Sequence, residues 1–229
     1  MIPTPDIVDD VPAAFAELAA AEVRSVLAAR GPSGAPFRLG CSGGASGAAC
    51  IGALAGHDLP WQRITCYFVD ERCVEPGSPN TNVRALRAAL DGRLDELAGF
   101  HPMSCADGPE AYERLVREAG GFDLVQLGFG PDGHTASLFP GSAGLDAPEE
   151  RLVVTNLDPT GNNRFERLTL TYAAIALANV VLVTVVGTDK RDAFARVLAG
   201  EDLPAARVRA PRVVWLVDRR ATAGADGAP

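Results

Sequence analysis

The chain has 229 residues, 47% of them hydrophobic and 22% charged, which suffices for one buried core and excludes wholesale disorder. Its net charge of −8 argues against general nucleic-acid binding, which needs a basic face. No apolar run approaches the ~20 residues that span a membrane, and the acidic start lacks a secretory signal, so we expect a cytoplasmic protein without a membrane partner.

Hydrophobic patterning predicts helices and strands that alternate along the chain. Asp9 or Asp10 can cap a first helix that has Pro12 in its first turn. Strands are predicted at 37–41, 64–69, 122–127, 152–155, 167–170, 180–186 and 213–217, and further helices near 47–55, 82–91, 109–119 and 190–198. This alternation predicts a three-layer α/β sandwich with a mostly parallel, Rossmann-like sheet flanked by helices. We expect residues 1–229 to form a single domain with a frayed tail from about residue 221.

The most informative loops follow predicted strands, at 42–47, 70–82, 128–141 and 187–190. Ligands of parallel sheets bind beyond the carboxyl ends of the strands. We therefore expect these four loops to converge on one site.

The five cysteines are odd in number and contain no C-x-x-C pair, which argues against a disulfide framework and a zinc ribbon. We expect all of them to be small apolar core residues in a reducing compartment. They are Cys41, Cys50, Cys66, Cys73 and Cys105.

Residues 40–44 match G-x-S-x-G, the motif that carries a serine nucleophile in α/β-hydrolases. That motif normally follows a central strand of a large sheet, whereas one predicted strand precedes it here. We therefore interpret residues 42–47 as a glycine-rich turn whose backbone N–H groups bind an anion at a helix N-terminus. A Walker P-loop is excluded because no Gly-Lys-Ser/Thr follows.

Residues 128–133 match G-x-G-x-x-G, the fingerprint of dinucleotide binding. A Rossmann turn opens a long helix, but Pro140 and Gly141 stop any helix that begins here. The context therefore disfavours a dinucleotide site.

The same glycine-rich loop contains His134, two residues after Asp132, and a second acid, Asp70, directly follows another strand. The chain has three histidines, and we expect His57 and His101 to lie solvated in surface loops. His134 at a strand's end is instead predicted to reach a pocket, where an imidazole can act as acid or base near neutral pH.

Seven further segments form a pattern by their order and spacing: 41–44, 68–74, 80–82, 122–141, 167–171, 187–190 and 215–218, of which 130–141 reads GPDGHTASLFPG. This pattern resembles that of the 6-phosphogluconolactonases of the glucosamine/galactosamine-6-phosphate isomerase superfamily. The chain departs from the family where Gly47 replaces a frequent proline, while Ser46 keeps a hydroxyl. Residues 158–163 also lack the proline-rich run often found there.

The resemblance implies hydrolysis of 6-phospho-D-glucono-1,5-lactone to 6-phospho-D-gluconate, the second step of the oxidative pentose phosphate pathway, without metal or cofactor. We expect His134 to activate water and return the proton to the ring oxygen, a function that contributes ~10²–10⁴-fold. Either Asp132 or Asp70 would orient and polarise the imidazole, or would bind sugar hydroxyls. Backbone N–H groups of residues 43–46 or 128–133 would stabilise the oxyanion.

The substrate phosphate needs cations and N–H donors. The 21 basic residues comprise 20 arginines and one lysine, Lys190, in the first turn of a predicted helix, where a cation is disfavoured unless an anion is near. The predicted phosphate and substrate ligands are Lys190, Arg72, Arg167, Ser42, Gly43, Gly44 and Ser46. The alternative for Arg72 is an ion pair with Glu71 or Asp70.

Two other functions are weighed against this one. An aminosugar-6-phosphate deaminase carries an acid after the histidine, in an Asn-Glu-Pro context, but residues 137–140 contain no carboxylate. A sugar-phosphate-sensing regulator needs a helix-turn-helix, but the first 35 residues supply a single predicted helix. We expect a small sugar phosphate as partner and a monomer, with a homodimer as the alternative.

Overall fold

The computed structural model describes residues 2–222, which contain seven α-helices and ten strands. The helices are α1 (Val11–Arg30), α2 (Ala45–Ala55), α3 (Asn82–Ala89), α4 (Gly108–Ala119), α5 (Tyr172–Ile175), α6 (Arg191–Leu198) and α7 (Arg219–Thr222). The strands are β1 (Asp6–Val8), β2 (Phe37–Cys41), β3 (Ile64–Phe68), β4 (Asp70–Arg72), β5 (Gly99–His101), β6 (Phe122–Gly128), β7 (Val153–Asn156), β8 (Arg167–Leu170), β9 (Ala178–Val185) and β10 (Arg212–Asp218).

The main sheet has seven strands in the order β1-β10-β9-β6-β2-β3-β5, and every pair in it is parallel. Its centre is nearly continuous in apolar residues, as a sheet covered on both faces requires. In β9, for example, residues 180–185 are all buried. With helices flanking this sheet, the predicted three-layer α/β sandwich is confirmed.

Helix α1 begins where the sequence predicts, because the Asp10 carboxylate accepts a hydrogen bond from the Ala13 N–H at 2.9 Å. The helix buries one face, including Phe15, Val23 and Leu27, and contacts four strands of the main sheet. It also packs against α2, whose N-terminus borders the cleft described below.

A second, antiparallel sheet of three strands, β4-β8-β7, lies beside the main one. The strands predicted at 152–155 and 167–170 exist, but they belong to this small sheet. Their partner β4 lies in the segment predicted as a polar loop. The strand was not predicted because three residues are too few to show the alternation of side chains typical of a strand. The small sheet pairs Asp70 with Thr169 and Arg72 with Arg167, which brings two distant loops together.

A buried carboxylate joins several elements at the amino ends of the strands of the main sheet, opposite the cleft. Asp123, near the start of β6, is 0% exposed and accepts hydrogen bonds from the guanidinium groups of Arg30, in α1, and Arg38, in β2. Burial alone raises the pKa of Asp123, but the bonds from the two arginines outweigh burial and place it below its usual value. The cluster thus joins α1, β2 and β6.

The prediction for the cysteines is wrong for two of the five. Cys41, Cys50 and Cys66 are free and fully buried, but Cys73 and Cys105 form a disulfide with their Cα atoms 5.5 Å apart. The pair is separated by 32 residues in sequence: Cys73 directly follows β4, and Cys105 lies after β5. Neither spacing nor parity could indicate this contact.

Two smaller expectations also change. His101 is not in a solvated loop: it ends β5, is half-buried and stacks on Tyr67, and burial lowers its pKa. Residues 221–222 belong to α7, and the remainder of the predicted frayed tail lies outside the described residues.

Among the helices of residues 2–222, none is long and apolar enough to cross a membrane.

Candidate active site

The four loops singled out in the sequence contribute to one cleft at the carboxyl edge of the main sheet. It encloses about 210 Å³ and is lined by side chains and backbone that follow β2, β3, β6 and β9. Of the predicted site residues, eight line it: Ser42, Gly44, Ser46, Asp70, Arg72, His134, Arg167 and Lys190. Asp132 and Gly43 lie behind this lining and act on it indirectly, as described below.

His134 is paired with Asp132 rather than with Asp70. The imidazole Nδ1 lies 2.5 Å from the Asp132 Oδ1, and the same oxygen accepts the His134 backbone N–H at 3.1 Å. Because a carboxylate is only an acceptor, Nδ1 carries the proton of the neutral ring and Nε2 is left as an acceptor. Burial alone raises the pKa of Asp132, but the bond with His134 lowers it below its usual value.

The glycine-rich loop after β6 shapes this pair by close approach of its backbone. The Gly130 N–H donates to the His134 carbonyl at 2.9 Å, and a Cβ on Gly130 would lie 2.1 Å from Nδ1. The ring also packs on Phe139, with centroids 5.0 Å apart. Ala136, just after the histidine, has a φ of 47°, a strained conformation of the kind that concentrates at functional sites.

Asp70, the other predicted partner, serves a different network. Its Oδ2 accepts the Ser137 hydroxyl at 2.6 Å and its Oδ1 accepts the Asn82 Nδ2 at 3.0 Å. Asp70 is 7% exposed and lines the cleft together with both partners. The geometry therefore places Asp70 at the substrate side of the cleft and leaves the orientation of His134 to Asp132.

The turn at residues 42–47 leads into α2 as predicted, with Gly44 as its N-cap. The N–H groups of residues 45–47 precede the first intrahelical bond, from Ala48 to Gly44, and so are available to an anion. Gly43 and Gly47 leave no room for a side chain: a Cβ would lie 2.3 Å from Asn82 and 2.4 Å from the Ser42 carbonyl, respectively. The glycine that replaces the family's proline at 47 thus fits the packing of the turn.

Ser42 does not have the contacts of a catalytic nucleophile. Its hydroxyl donates to the Gln126 carbonyl at 3.0 Å, and its N–H donates to the Gln126 Oε1 at 3.1 Å. No hydrogen bond joins it to a histidine within residues 2–222. The loop at 128–133, in turn, leads into tight turns rather than a long helix, so the dinucleotide fingerprint lacks its structural context.

Arg167 is a buried cation at the wall of the cleft. It is 7% exposed, its Nε donates to the Phe165 carbonyl at 3.2 Å, and its guanidinium lies 6.0 Å from the Phe139 ring centroid. Burial lowers its pKa, the charge of Arg72 adds to that effect and Asp70 opposes it. It forms no ion pair in the described part of the chain, and a buried cation of this kind favours an incoming anion.

Arg72 lies beside Arg167 in the small sheet. Its side chain donates to the Asn80 carbonyl at 2.8 Å, so the expected alternative, a salt bridge to Glu71 or Asp70, is not formed. The Glu71 carboxylate instead accepts backbone N–H groups of Arg72 and of the first turn of α3.

Lys190 lines the cleft, but its surroundings differ from those predicted. It ends a short 3₁₀ turn, Thr188–Lys190, and serves as the N-cap of α6, which begins one residue later. Its Nζ lies 2.7 Å from the Asp189 carboxylate, which is 63% exposed in its side chain. Asp189 is therefore a nearby anion that can itself stabilise the Lys190 ammonium at the start of a helix. The position of Lys190 in the helix thus gives less support to a bound phosphate than the sequence indicated, although Lys190 does line the cleft.

The lining residues to which sequence reasoning assigned no function include Asn82, Ser137, Phe139 and Asn163. The first three lie inside the segments that carry the family resemblance, which is the only signal that could have found them. Asn163 lies in a segment where the chain departs from the family. No group of three or more His, Cys, Asp or Glu side chains that could hold a metal occurs among residues 2–222.

Comparison with known proteins agrees with the geometry. A family model described as glucosamine-6-phosphate isomerases/6-phosphogluconolactonase matches residues 8–215. A 6-phosphogluconolactonase of Nostoc sp. is 35% identical over 209 residues, which cover 83% of this chain and 84% of that protein. A 6-phosphogluconolactonase of Synechocystis sp. is 36% identical over 202 residues, or 80% and 82% of the two chains.

The fold comparison points the same way. The crystal structure of 6-phosphogluconolactonase from Thermotoga maritima superposes with a TM-score of 0.81 at 28% identity, over 94% of this chain and 99% of that chain. The resemblance stated from the sequence motifs is confirmed. The chain therefore belongs to the family of glucosamine-6-phosphate isomerases and 6-phosphogluconolactonases.

Proposed function

We propose that this protein hydrolyses 6-phospho-D-glucono-1,5-lactone to 6-phospho-D-gluconate, with His134 as general base and without a metal or cofactor. The observation that carries the proposal is the pairing of His134 with Asp132 in a cleft that also presents three cations. The names of the relatives support the substrate, and the arrangement of the side chains supports the chemistry.

The phosphate would bind to Arg167, Arg72 and Lys190 together with the N–H groups at the start of α2. These groups are all donors, so they suit a dianion rather than a sugar hydroxyl. Arg167 and His134 both lie near the ring of Phe139, with the guanidinium 6.0 Å and the imidazole centroid 5.0 Å from its centroid. The phosphate end and the reacting end of one small substrate can thus be held at once.

In the reaction, Nε2 of His134 accepts a proton as the water oxygen attacks the lactone carbonyl carbon. The C1–oxygen π electrons move onto the carbonyl oxygen, where backbone N–H donors stabilise the negative charge. Collapse of this intermediate breaks the bond to the ring oxygen, which takes the proton back from Nε2. Asp132 holds the ring in one tautomer and stabilises the imidazolium that forms between the two steps.

The test generates the lactone in situ from glucose 6-phosphate and follows its hydrolysis against the unaided reaction, with EDTA present throughout. We expect His134→Ala to lose ~10²–10⁴-fold in kcat. Lys190→Ala should raise KM strongly while leaving kcat closer to that of the wild type, because it removes a phosphate contact.

The outcomes separate the parts of the proposal. A folded wild-type protein that does not accelerate hydrolysis would refute the function. Acceleration that survives in His134→Ala would refute the assignment of the base, and acceleration lost with EDTA would refute the metal-free mechanism. An unchanged KM in Lys190→Ala would remove that residue from the phosphate site.

A further inference from the structure

The segment 158–163, which precedes β8, is organised by one buried carboxylate. Asp158 is 2% exposed, and its Oδ1 accepts the N–H and hydroxyl of Thr160 at 2.8 and 2.7 Å. Its Oδ2 accepts the backbone N–H and the Nδ2 of Asn163, both at 2.9 Å. Burial by itself raises the pKa of Asp158, but these bonds lower it to about 2. The carboxylate therefore fixes a loop that contains a single proline, Pro159.

This arrangement dictates how the amide of Asn163 is oriented. A carboxylate can only accept hydrogen bonds, so the amide nitrogen must face Asp158. The amide oxygen, Oδ1, is then directed away from Asp158, and Asn163 lines the cleft beside Arg167 and Lys190. Within the described residues, that oxygen accepts no hydrogen bond.

The cleft is rich in donors, and the side-chain acceptors in its lining that lack a partner within residues 2–222 include the amide oxygens of Asn82 and Asn163. Its three cations can only donate, and the Asp70 oxygens already accept from Ser137 and Asn82. A sugar ring presents several hydroxyl groups, each of which needs an acceptor for its proton once water is displaced. The Asn163 Oδ1 can accept such a hydrogen bond, and it belongs to a residue that lines the cleft.

We infer that Asn163 binds a hydroxyl group of the sugar through its Oδ1, and that Asp158 is the positioning residue that aims it. This inference rests on the proposed function, because it assigns a specificity contact for the same substrate. A site that hydrogen-bonds a hydroxyl discriminates against ligands that lack it. Asn163 therefore contributes to the selection of a sugar phosphate over phosphate alone.

The test is calorimetric titration with two probes, 6-phosphogluconate and inorganic phosphate, and does not depend on turnover. It compares the wild type with Asn163→Ala, Asp158→Ala, the double variant and the exposed neighbour Asn162→Ala as matched control. A neutral hydrogen bond is worth enough to change Kd about 3- to 10-fold. We expect Asn163→Ala to weaken the binding of 6-phosphogluconate by that factor. The Kd of inorganic phosphate should stay within about twofold of the wild-type value.

The positioning function of Asp158 predicts two further results in the same titrations. Asp158→Ala should reproduce the selective loss, and the double variant should be no weaker than Asn163→Ala, because both substitutions remove one contact. Thermal unfolding shows whether each variant folds. Because Asn163 is only partly buried, Asn163→Ala is expected to fold, and it tests the inference by itself if Asp158→Ala does not fold.

Three results would overturn the inference: 6-phosphogluconate affinity that is unchanged in folded Asn163→Ala, equal losses for both probes, or additive losses in the double variant. Absence of 6-phosphogluconate binding to the wild type would overturn it as well. Failure of the wild type to hydrolyse the lactone, with the selective binding loss intact, counts against the proposed function alone.

Discussion

The contact between Gly130 and the ring of His134 yields a sharp prediction for Gly130→Ala. The backbone of Gly130 does not have a positive φ, so alanine can adopt its conformation. The new Cβ, however, would lie 2.1 Å from Nδ1 and 2.2 Å from Cε1 of the imidazole. The substitution therefore acts on the position of the imidazole ring and not on the backbone of the loop.

The size of the effect follows from the distance. Ordinary contact begins at 3.4 Å, so the ring has to retreat by roughly 1.3 Å to admit the methyl group. Asp132 at 2.5 Å and Phe139 at 5.0 Å between centroids leave the ring little freedom. A misplacement of ~1 Å costs about 10²-fold in rate, or about 2.7 kcal/mol of transition-state stabilisation. Overpacking of this kind costs about 1–3 kcal/mol in stability.

The assay is the rate of lactone hydrolysis, measured together with the free energy of unfolding. The matched control is Gly52→Ala in α2, where the nearest atom to an added Cβ is 3.8 Å away. We expect this control to keep its activity and to gain about 0.5–1 kcal/mol from the better helix propensity of alanine. Gly130→Ala should instead lose about 100-fold in kcat while remaining folded.

A folded Gly130→Ala protein with near-wild-type kcat would refute the reasoning. It would mean either that the ring can move without losing its function or that His134 is not the base. Retained activity in Gly130→Ala and loss in His134→Ala would select the first of these explanations.

Two further predictions concern stability. Because the pKa of Asp123 is depressed in the folded state, its stabilisation is complete above the unfolded pKa of about 3.9 and is lost as the pH falls through the folded pKa. In urea unfolding, Asp123→Asn should lose at most about 3–5 kcal/mol at neutral pH and show a weaker pH dependence below about pH 4; an unchanged acid slope would contradict this. The disulfide between Cys73 and Cys105 closes a loop of 32 residues, so Cys73→Ser should lose about 3–4 kcal/mol. Dithiothreitol should destabilise the wild type and not this variant, and equal responses of the two would contradict the pairing.

How far the sequence could determine the site depends on whether a feature is local. The strand predicted at 180–186 and the cap of the first helix, predicted as Asp9 or Asp10, arise from neighbouring residues; the structure contains both features and selects Asp10 as the cap. The order of strands and glycine-rich loops was sufficient to place the cleft at one edge of the sheet. The His134 loop was found because its residues lie close together in the chain.

Contacts between distant segments were beyond sequence reasoning, since they depend on register and packing. Only the tertiary structure decided that Asp132, and not Asp70, orients His134, because that choice depends on where Ser137 and Asn82 lie. The disulfide between Cys73 and Cys105 is a contact of the same kind.

The sequence by itself determined the fold class and the family of this protein and singled out the loop of His134, because each is encoded in local patterns of apolar and glycine residues. The tertiary structure alone decided which acceptors are already engaged and which remain open to a substrate. That distinction is set by distances of 2.6–3.1 Å between groups that are 12 to 84 residues apart in the chain, at which a hydrogen bond forms or does not.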